Sequence, residues 1–216
     1  MEKVLTILGR SKSIFSQIMS ELRDIDIQTD RMRFRFNLER AGELLAYEIS
    51  KHLPYEDKTV TTPLGTVEVP VLKEQPILVG ILRAGLPLHE GFLRVFDHAD
   101  NGFISAYRQH TSENEFVIKV EYMACPEIEG RTLILIDPMI ATGRSLYLSY
   151  QSLLNLGTPS EVFVAGVIAS EEGLRYLRLH MPHAKFFIGD VDKELTAKSY
   201  IVPGLGDAGD LAYGAK

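Results

Sequence analysis

The apolar residues of this chain recur with two periods, and the alternation between them sets out its elements. Leu133 to Ile136 is an unbroken aliphatic run. It is too short for a helix and too uniformly apolar for a strand with one wet face, so it predicts a central strand buried on both faces. Ile77 to Leu82, Val162 to Ile168 and Phe186 to Gly189 read in the same way, with a shorter strand at Phe103 to Tyr107. Between them the spacing changes to three and four. Phe34, Leu38, Ala41, Leu45 and Ile49 predict a helix from a Thr29-Asp30 cap to about His52. Leu86, Leu88, Phe92 and Val95 predict a second, Leu146, Leu148, Tyr150, Leu153 and Leu154 a third, and Glu171 to His180 a fourth. Strands alternating with helices predict an α/β fold.

Two stretches stand outside this alternation. Val67, Val69 and Val71 alternate with polar or turn residues after a Pro63-Leu64-Gly65 turn, so residues 59–72 predict a hairpin arm with Pro70 on an edge. Such an arm has little core of its own and lies along the domain or reaches a partner chain. Residues 109–125 are polar and mixed in charge, with Phe116, Ile118 and Val120 alternating. They fit a hairpin or a mobile flap, and in either form a hood over a site. Residues 1–216 otherwise read as one domain.

Composition narrows the choice of chemistry. The balance of 23 basic against 29 acidic residues gives a net charge of −6, which argues against a general nucleic-acid or membrane surface. Any anion site must then be local. Arg31, Arg33 and Arg35 beside Met32 and Phe36 read as a solvated helix face rather than an anion patch. The single cysteine, Cys125, fits a packed thiol in a reducing compartment. With no leader-like start and no apolar run of spanning length, a soluble cytoplasmic protein is expected. The histidines form no paired ligand motif and no Gly-x-x-x-x-Gly-Lys-Ser/Thr loop occurs, which disfavours a metallohydrolase or a P-loop kinase.

The chemistry gathers where strands end. After Ile136 the chain reads Asp137-Pro138-Met139-Ile140-Ala141-Thr142-Gly143-Arg144-Ser145 and enters a helix. In an open parallel sheet this loop lies at the carboxyl edge, where amides at the helix start favour a phosphate. Thr142 and Ser145 add hydroxyl donors, and Asp137 suits sugar hydroxyls better than another anion. A ribose phosphate satisfies both, and a buried strand with an ordinary turn and a Ser/Thr helix cap fits this stretch taken alone equally well. Arg83, before Ala84-Gly85, projects from the same edge, and Arg108 closes the strand at Phe103 to Tyr107. Near the end, Gly204-Leu205-Gly206-Asp207-Ala208-Gly209-Asp210 makes a loop whose backbone can approach a flat ligand.

Taken together, Ile81-Leu82-Arg83-Ala84-Gly85-Leu86, Tyr107-Arg108, the Asp137 to Ser145 loop and Tyr200 to Asp210 resemble the uracil phosphoribosyltransferase family in order and spacing. Leu45-Ala46-Tyr47-Glu48 and the Thr62-Pro63-Leu64-Gly65 arm extend the resemblance over nearly the whole chain. It implies a type I phosphoribosyltransferase fold, with a mostly parallel central sheet flanked by helices. It also implies conversion of uracil and 5-phosphoribosyl diphosphate to UMP and diphosphate in pyrimidine salvage, with magnesium carried by the diphosphate. By the same resemblance Asp137 holds the ribose hydroxyls, Ala141 to Ser145 cradle the 5-phosphate through amides and hydroxyls, Pro138, Met139 and Ile140 also belong to the ribosyl diphosphate site, and Arg83 and Arg108 meet the diphosphate. Ile201, Gly206 and Ala208 read uracil within a base loop spanning residues 199–213. Asp207 lies between base and sugar phosphate, either steering a proton or holding magnesium-bound water. Arg144 stands where the family commonly has glycine, and residues 109–125 follow its pattern poorly. A homodimer or higher homo-oligomer without membrane or nucleic-acid partners is expected. The competing reading is a regulator of the same fold that senses UMP or the diphosphate and binds RNA or a protein. It conflicts with the acidic balance and the lack of a basic stripe with interleaved aromatics.

Overall fold

The computed structural model describes residues 5–112 and 115–215, and only the backbone over the described part of residues 106–120. The elements are β1 (Leu5–Ile7), α1 (Ile14–Arg23), α2 (Arg31–Ser50), β2 (Tyr55–Thr62), β3 (Gly65–Leu72), β4 (Ile77–Ile81), α3 (Gly85–Val95), β5 (Asp100–Ser112) and β6 (Glu115–Ala124). The chain continues through β7 (Thr132–Ile136), β8 (Met139–Ile140), α4 (Arg144–Leu153), β9 (Glu161–Ser170), α5 (Glu171–His180), β10 (Lys185–Asp192), β11 (Glu194–Leu195), β12 (Ile201–Val202) and α6 (Ala208–Tyr213). The main sheet runs β1-β10-β9-β7-β4-β5-β6, with β8 beside β9. Its pairings are parallel except β5 with β6.

The aliphatic run of β7 works because both sides of the sheet are covered. Ile134 and Ile136 enter the layer built with Ile18 of α1, Leu38 of α2 and Phe92 of α3. Leu133 and Leu135 enter the opposite layer with Leu146 of α4 and Leu177 of α5. All four are fully buried, and each such side chain withdrawn from water stabilises the fold by about 1.5–3 kcal/mol. The strand is therefore a rigid base for the loop that leaves its end.

Local chemistry accounts for the flanking helices. Asp30 caps α2, its Oδ1 accepting from the N–H groups of Met32 at 3.0 Å and Arg33 at 3.1 Å. Arg33 pairs with Glu21, and Arg35 donates to the Ala212 carbonyl at 2.7 Å, so this basic start ties α2 to α1 and α6. Helix α1 was not anticipated from the sequence. Its buried Phe15, Ile18, Met19 and Leu22 follow helical spacing and pack toward the sheet.

Strands β2 and β3 form a separate antiparallel ribbon, with Thr62 opposite Gly65 and Leu64 wholly exposed at the tip. The strand expected at Phe103 to Tyr107 is longer, and the hood is no detached flap. From Phe103 opposite Ala124, β5 and β6 pair as a hairpin that continues the sheet edge past Arg108. Period-two alternation in residues 116–120 is what such pairing requires. Cys125 packs beside Gly102, and burial pushes its thiol up to about 11, as suits a packed rather than a nucleophilic cysteine.

Candidate active site

Adjacent parallel strands set the spacing of the site. β4 and β7 run in register with Gly80 opposite Ile136, so the residues that follow them, Arg83 and Asp137, leave the same sheet edge. Between them opens a cleft of about 370 Å³ lined by Arg83, Ala84, Asp137, Ser145, Asp207 and Asp210, among others. A recess of about 90 Å³ adjoins it, bounded by Ala141, Thr142 and Gly143 and sharing Asp137 and Ser145. A larger cavity, about 670 Å³, lies elsewhere, between β1 and α5. It has neither the glycine loop nor the strand-end acid, so the smaller cleft is the site.

The recess is shaped by the start of α4. Gly143 caps that helix at φ 72°, and a Cβ there would stand 2.8 Å from both the Gly173 carbonyl oxygen and Leu177 Cγ. Glycine lets the loop turn tightly, presenting the free amides of the helix start to the recess with the Thr142 and Ser145 hydroxyls nearby. On the far side, the Pro138 carbonyl accepts from Val167 and Ile168, anchoring the loop to β9.

Asp137 stands where cleft and recess join. Its backbone N–H is fixed by the Ala165 carbonyl at 3.1 Å, and its Oδ1 accepts from Met139 N–H at 3.2 Å. Part of the residue remains open to the cleft, but its carboxyl lies deep. Desolvation pushes its pKa up to about 7 against the pull of the Met139 hydrogen bond. Such an acid gains from ligand hydroxyls that donate to it.

The C-terminal segment forms the opposite wall. Arg83 Nη2 donates to Asp210 Oδ1 at 3.3 Å and to the Gly214 carbonyl at 3.2 Å, while its Nε is buried with no partner among the described residues. Asp207 is exposed at the cap of α6, where Oδ1 accepts from Asp210 N–H at 3.0 Å. The side chains of Ile201 and Ala208 belong to the core, and the Ala208 N–H points to Met139 Sδ at 3.3 Å. Gly206, at φ 93°, is exposed. At positions 201, 206 and 208 the segment thus offers mainly backbone groups, while Asp207 and Asp210 line the cleft.

Some assigned residues line neither cavity, Ile201, Gly206 and Ala208 of the C-terminal segment among them. Pro138 is used in anchoring the loop and lines neither cavity. The Arg144 guanidinium lies over the Tyr176 ring, 5.4 Å from its centroid, so its side chain packs on α5. Arg108 sits on β5, but its side chain is outside the described residues. Among the described residues no three acids, histidines or cysteines converge as a direct metal site. Sequence reading passed over Arg23, Asp190 and Asp192, which meet behind the Gly204 turn.

Comparison with known proteins agrees with this geometry. The sequence model described as uracil phosphoribosyltransferase matches residues 10–215. The uracil phosphoribosyltransferase of Porphyromonas gingivalis is 49% identical over 210 residues, 97% of each chain. That of Pyrococcus furiosus is 39% identical over 201 residues, 92% of this chain and 85% of the relative. Among solved structures, the AQ2163 protein from Aquifex aeolicus superposes with a TM-score of 0.87 at 31% identity, over 99% of both chains. A purine phosphoribosyltransferase from Pyrococcus horikoshii, at 12% identity and a TM-score of 0.51 over 74% of this chain and 86% of its own, shares the fold. The match over almost the full length, with loops that place an acid and a glycine cradle at one sheet edge, shows that the chain belongs to the uracil phosphoribosyltransferase family.

Proposed function

We propose that this protein transfers the phosphoribosyl group of 5-phospho-α-D-ribose 1-diphosphate to uracil, releasing UMP and diphosphate in pyrimidine salvage. The observation that carries this reading is the continuity of the two cavities at Asp137, with the C-terminal loop across from them. The recess suits the 5-phosphate through the α4 amides and the hydroxyls of Thr142 and Ser145, and Asp137 then accepts from the ribose hydroxyls. Arg83 faces the leaving diphosphate, and Arg108 belongs to the same role by its position in the family motif.

Breaking the bond from ribose C1 to diphosphate develops positive charge on the sugar and negative charge on the departing oxygens. Asp137 lies beneath the first and Arg83 beside the second. Magnesium would arrive bound to the diphosphate and neutralise its charge. The residues fit an ion held through its water shell rather than in a protein cage: Asp207 Oδ1 is used in capping α6, leaving its second oxygen for a water ligand. Uracil N1 attacks C1, with Gly206 and its neighbours reading the base through the backbone. An amino group at position 4, as in cytosine, would leave fixed donors and acceptors mismatched, which costs about 10⁴-fold or more where a site is built to hydrogen-bond the correct group.

The exposed β2-β3 ribbon supports a homodimer or higher oligomer, since it covers little of its own chain. No helix among the described residues is long and apolar enough to cross a membrane, and the lone packed cysteine suits a cytoplasmic setting. The test of function is incubation with the ribosyl diphosphate, magnesium and each nucleobase in turn. UMP from uracil is expected, and comparable product from cytosine, adenine or guanine refutes the assignment.

A further inference from the structure

At the end of α1, Arg23 crosses to the carboxyl end of β10 and meets Asp192 as a fork. Nη1 donates to Oδ2 at 2.8 Å and Nη2 to Oδ1 at 2.9 Å. Nη2 also donates to Asp190 Oδ2 at 2.7 Å, and Nη1 to the Gly204 carbonyl at 3.0 Å. The Gly204 N–H in turn donates to Asp192 Oδ2 at 2.8 Å. Both polar groups of one residue are thus held by a single ion pair that reaches it from two other elements.

The held residue is the turn from which the base loop springs. Gly204 has φ 64°, and a Cβ there would lie 2.1 Å from the Ile201 carbonyl oxygen, so no other residue fits. Ile201 and Leu205 on either side are seated by apolar packing. Packing fixes where those side chains sit but leaves peptide planes free to rotate, whereas hydrogen bonds to both groups of Gly204 fix the planes. Gln28 steadies the end of α1 that carries Arg23, its Nε2 donating to the carbonyls of Leu22 at 3.3 Å and Arg23 at 3.0 Å. Arg23 and Asp192 line neither the cleft nor the recess. Asp192 is only 8% exposed, and a buried pair of this kind contributes little net stability because desolvation offsets its attraction. Its use lies in what it orients.

We infer that Arg23 is a positioning residue of the base site: forked onto Asp192, it fixes the Gly204 peptide and so sets the backbone of residues 204–208 against the base. The kinetic consequence rests on the uracil reading given above. The ribosyl diphosphate is held mainly from other elements, by Arg83, Asp137 and residues 141–145, and the one contact proposed for it from this segment, through water at Asp207, is set by the cap of α6 rather than by Gly204. Loosening Gly204 therefore weakens uracil selectively.

The test compares wild type with Arg23→Lys, Arg23→Met and Asp192→Asn in the full chain. Amide exchange of the peptide covering residues 201–208 is measured without ligand, and the Michaelis constants for both substrates in the UMP assay. Exchange should accelerate, and the uracil KM should rise about tenfold or more, the size of one lost charge-assisted hydrogen bond, with the diphosphate KM within about twofold. A purely structural Arg23 would lower the active fraction and leave both KM values alone. Unchanged exchange overturns the inference, as does faster exchange with an unchanged uracil KM or a parallel rise in both KM values. If Arg23→Met fails to fold, Arg23→Lys, which keeps the charge and the aliphatic stem, carries the test. A wild type that makes no mononucleotide sinks the uracil reading, and exchange alone then decides whether Arg23 holds the loop.

Discussion

Replacing Asp137 with asparagine should stabilise the ligand-free protein while crippling it as an enzyme, and the two effects have one cause. In the unfolded chain the carboxyl titrates near 3.8, and in the folded chain burial raises it to about 7. Between those values the folded state binds more protons than the unfolded one, so stability falls as pH rises and the penalty is complete above about 7. At about 1.36 kcal/mol for each pH unit, the ceiling on that penalty is about 4 kcal/mol. Water reaching the open cleft screens it to about 2 kcal/mol. Asparagine keeps an oxygen for the Met139 N–H and carries no charge. For a chain of this length the melting temperature of Asp137→Asn should exceed wild type by about 4–8 °C at pH 8, and by less than about 2 °C at pH 4. Without a carboxylate to accept from the ribose hydroxyls and face the developing positive charge, kcat should drop about 10²–10³-fold. The assays are thermal melts across pH without ligand and UMP formation at saturating substrate. A melting temperature at or below wild type at pH 8 refutes the buried-charge reasoning, and undiminished turnover refutes the ribose role.

Two further substitutions separate charge from shape. Asp207→Asn should melt close to wild type, because asparagine caps a helix as well as aspartate does, yet need more magnesium and ribosyl diphosphate to reach its maximal rate. If saturating both restores none of the lost rate and the pH profile shifts, Asp207 steers the N1 proton instead. Gly143→Ala should raise the diphosphate KM and cost about 1–3 kcal/mol in denaturant unfolding, since the new methyl group meets the Gly173 carbonyl at a backbone angle only glycine adopts freely. Unaltered KM and stability would mean that the loop relaxes without losing its cradle.

Residues whose position follows from their place on one strand were legible from the sequence. Leu133 to Ile136 announced a strand covered on both faces, and a strand of that kind has ligand-facing loops at its carboxyl end. Arg83 and Asp137 followed from the same logic applied to neighbouring strands. What the sequence could not convey were directions taken after the chain leaves an element. Arg144 turns onto Tyr176, a residue of another helix, and no local period says so. The raised pKa of Asp137 likewise depends on how deep the loop seats it, not on residue type. The hood's alternation favoured pairing, but β5 and β6 extend the sheet only because β4 gives β5 a parallel partner on its other side.

The Arg23 cluster is the extreme case. Arg23 is 169 positions from Asp192 and 181 from Gly204, so no motif of fixed spacing can contain all three. Its carrier, α1, has an apolar stripe of four residues between a serine-rich start and the acidic run after Arg23, a pattern weak enough to pass for a connection. The stripe becomes decisive only when the sheet exists to receive it. Phe15, Ile18 and Leu22 then dock α1 in the same apolar layer as Phe187 of β10, and that docking aims the last residue of the helix at the carboxylates ending the strand. On this account, loosening the α1 stripe, for example with Ile18→Val, should disturb the Gly204 amide before it disturbs the Asp137 loop. The reason is geometric: Asp137 hangs on β7 and β9, which keep their own pairing when α1 shifts. Amide exchange that rose equally at both loops would mean that α1 acts on the domain as a whole rather than through Arg23.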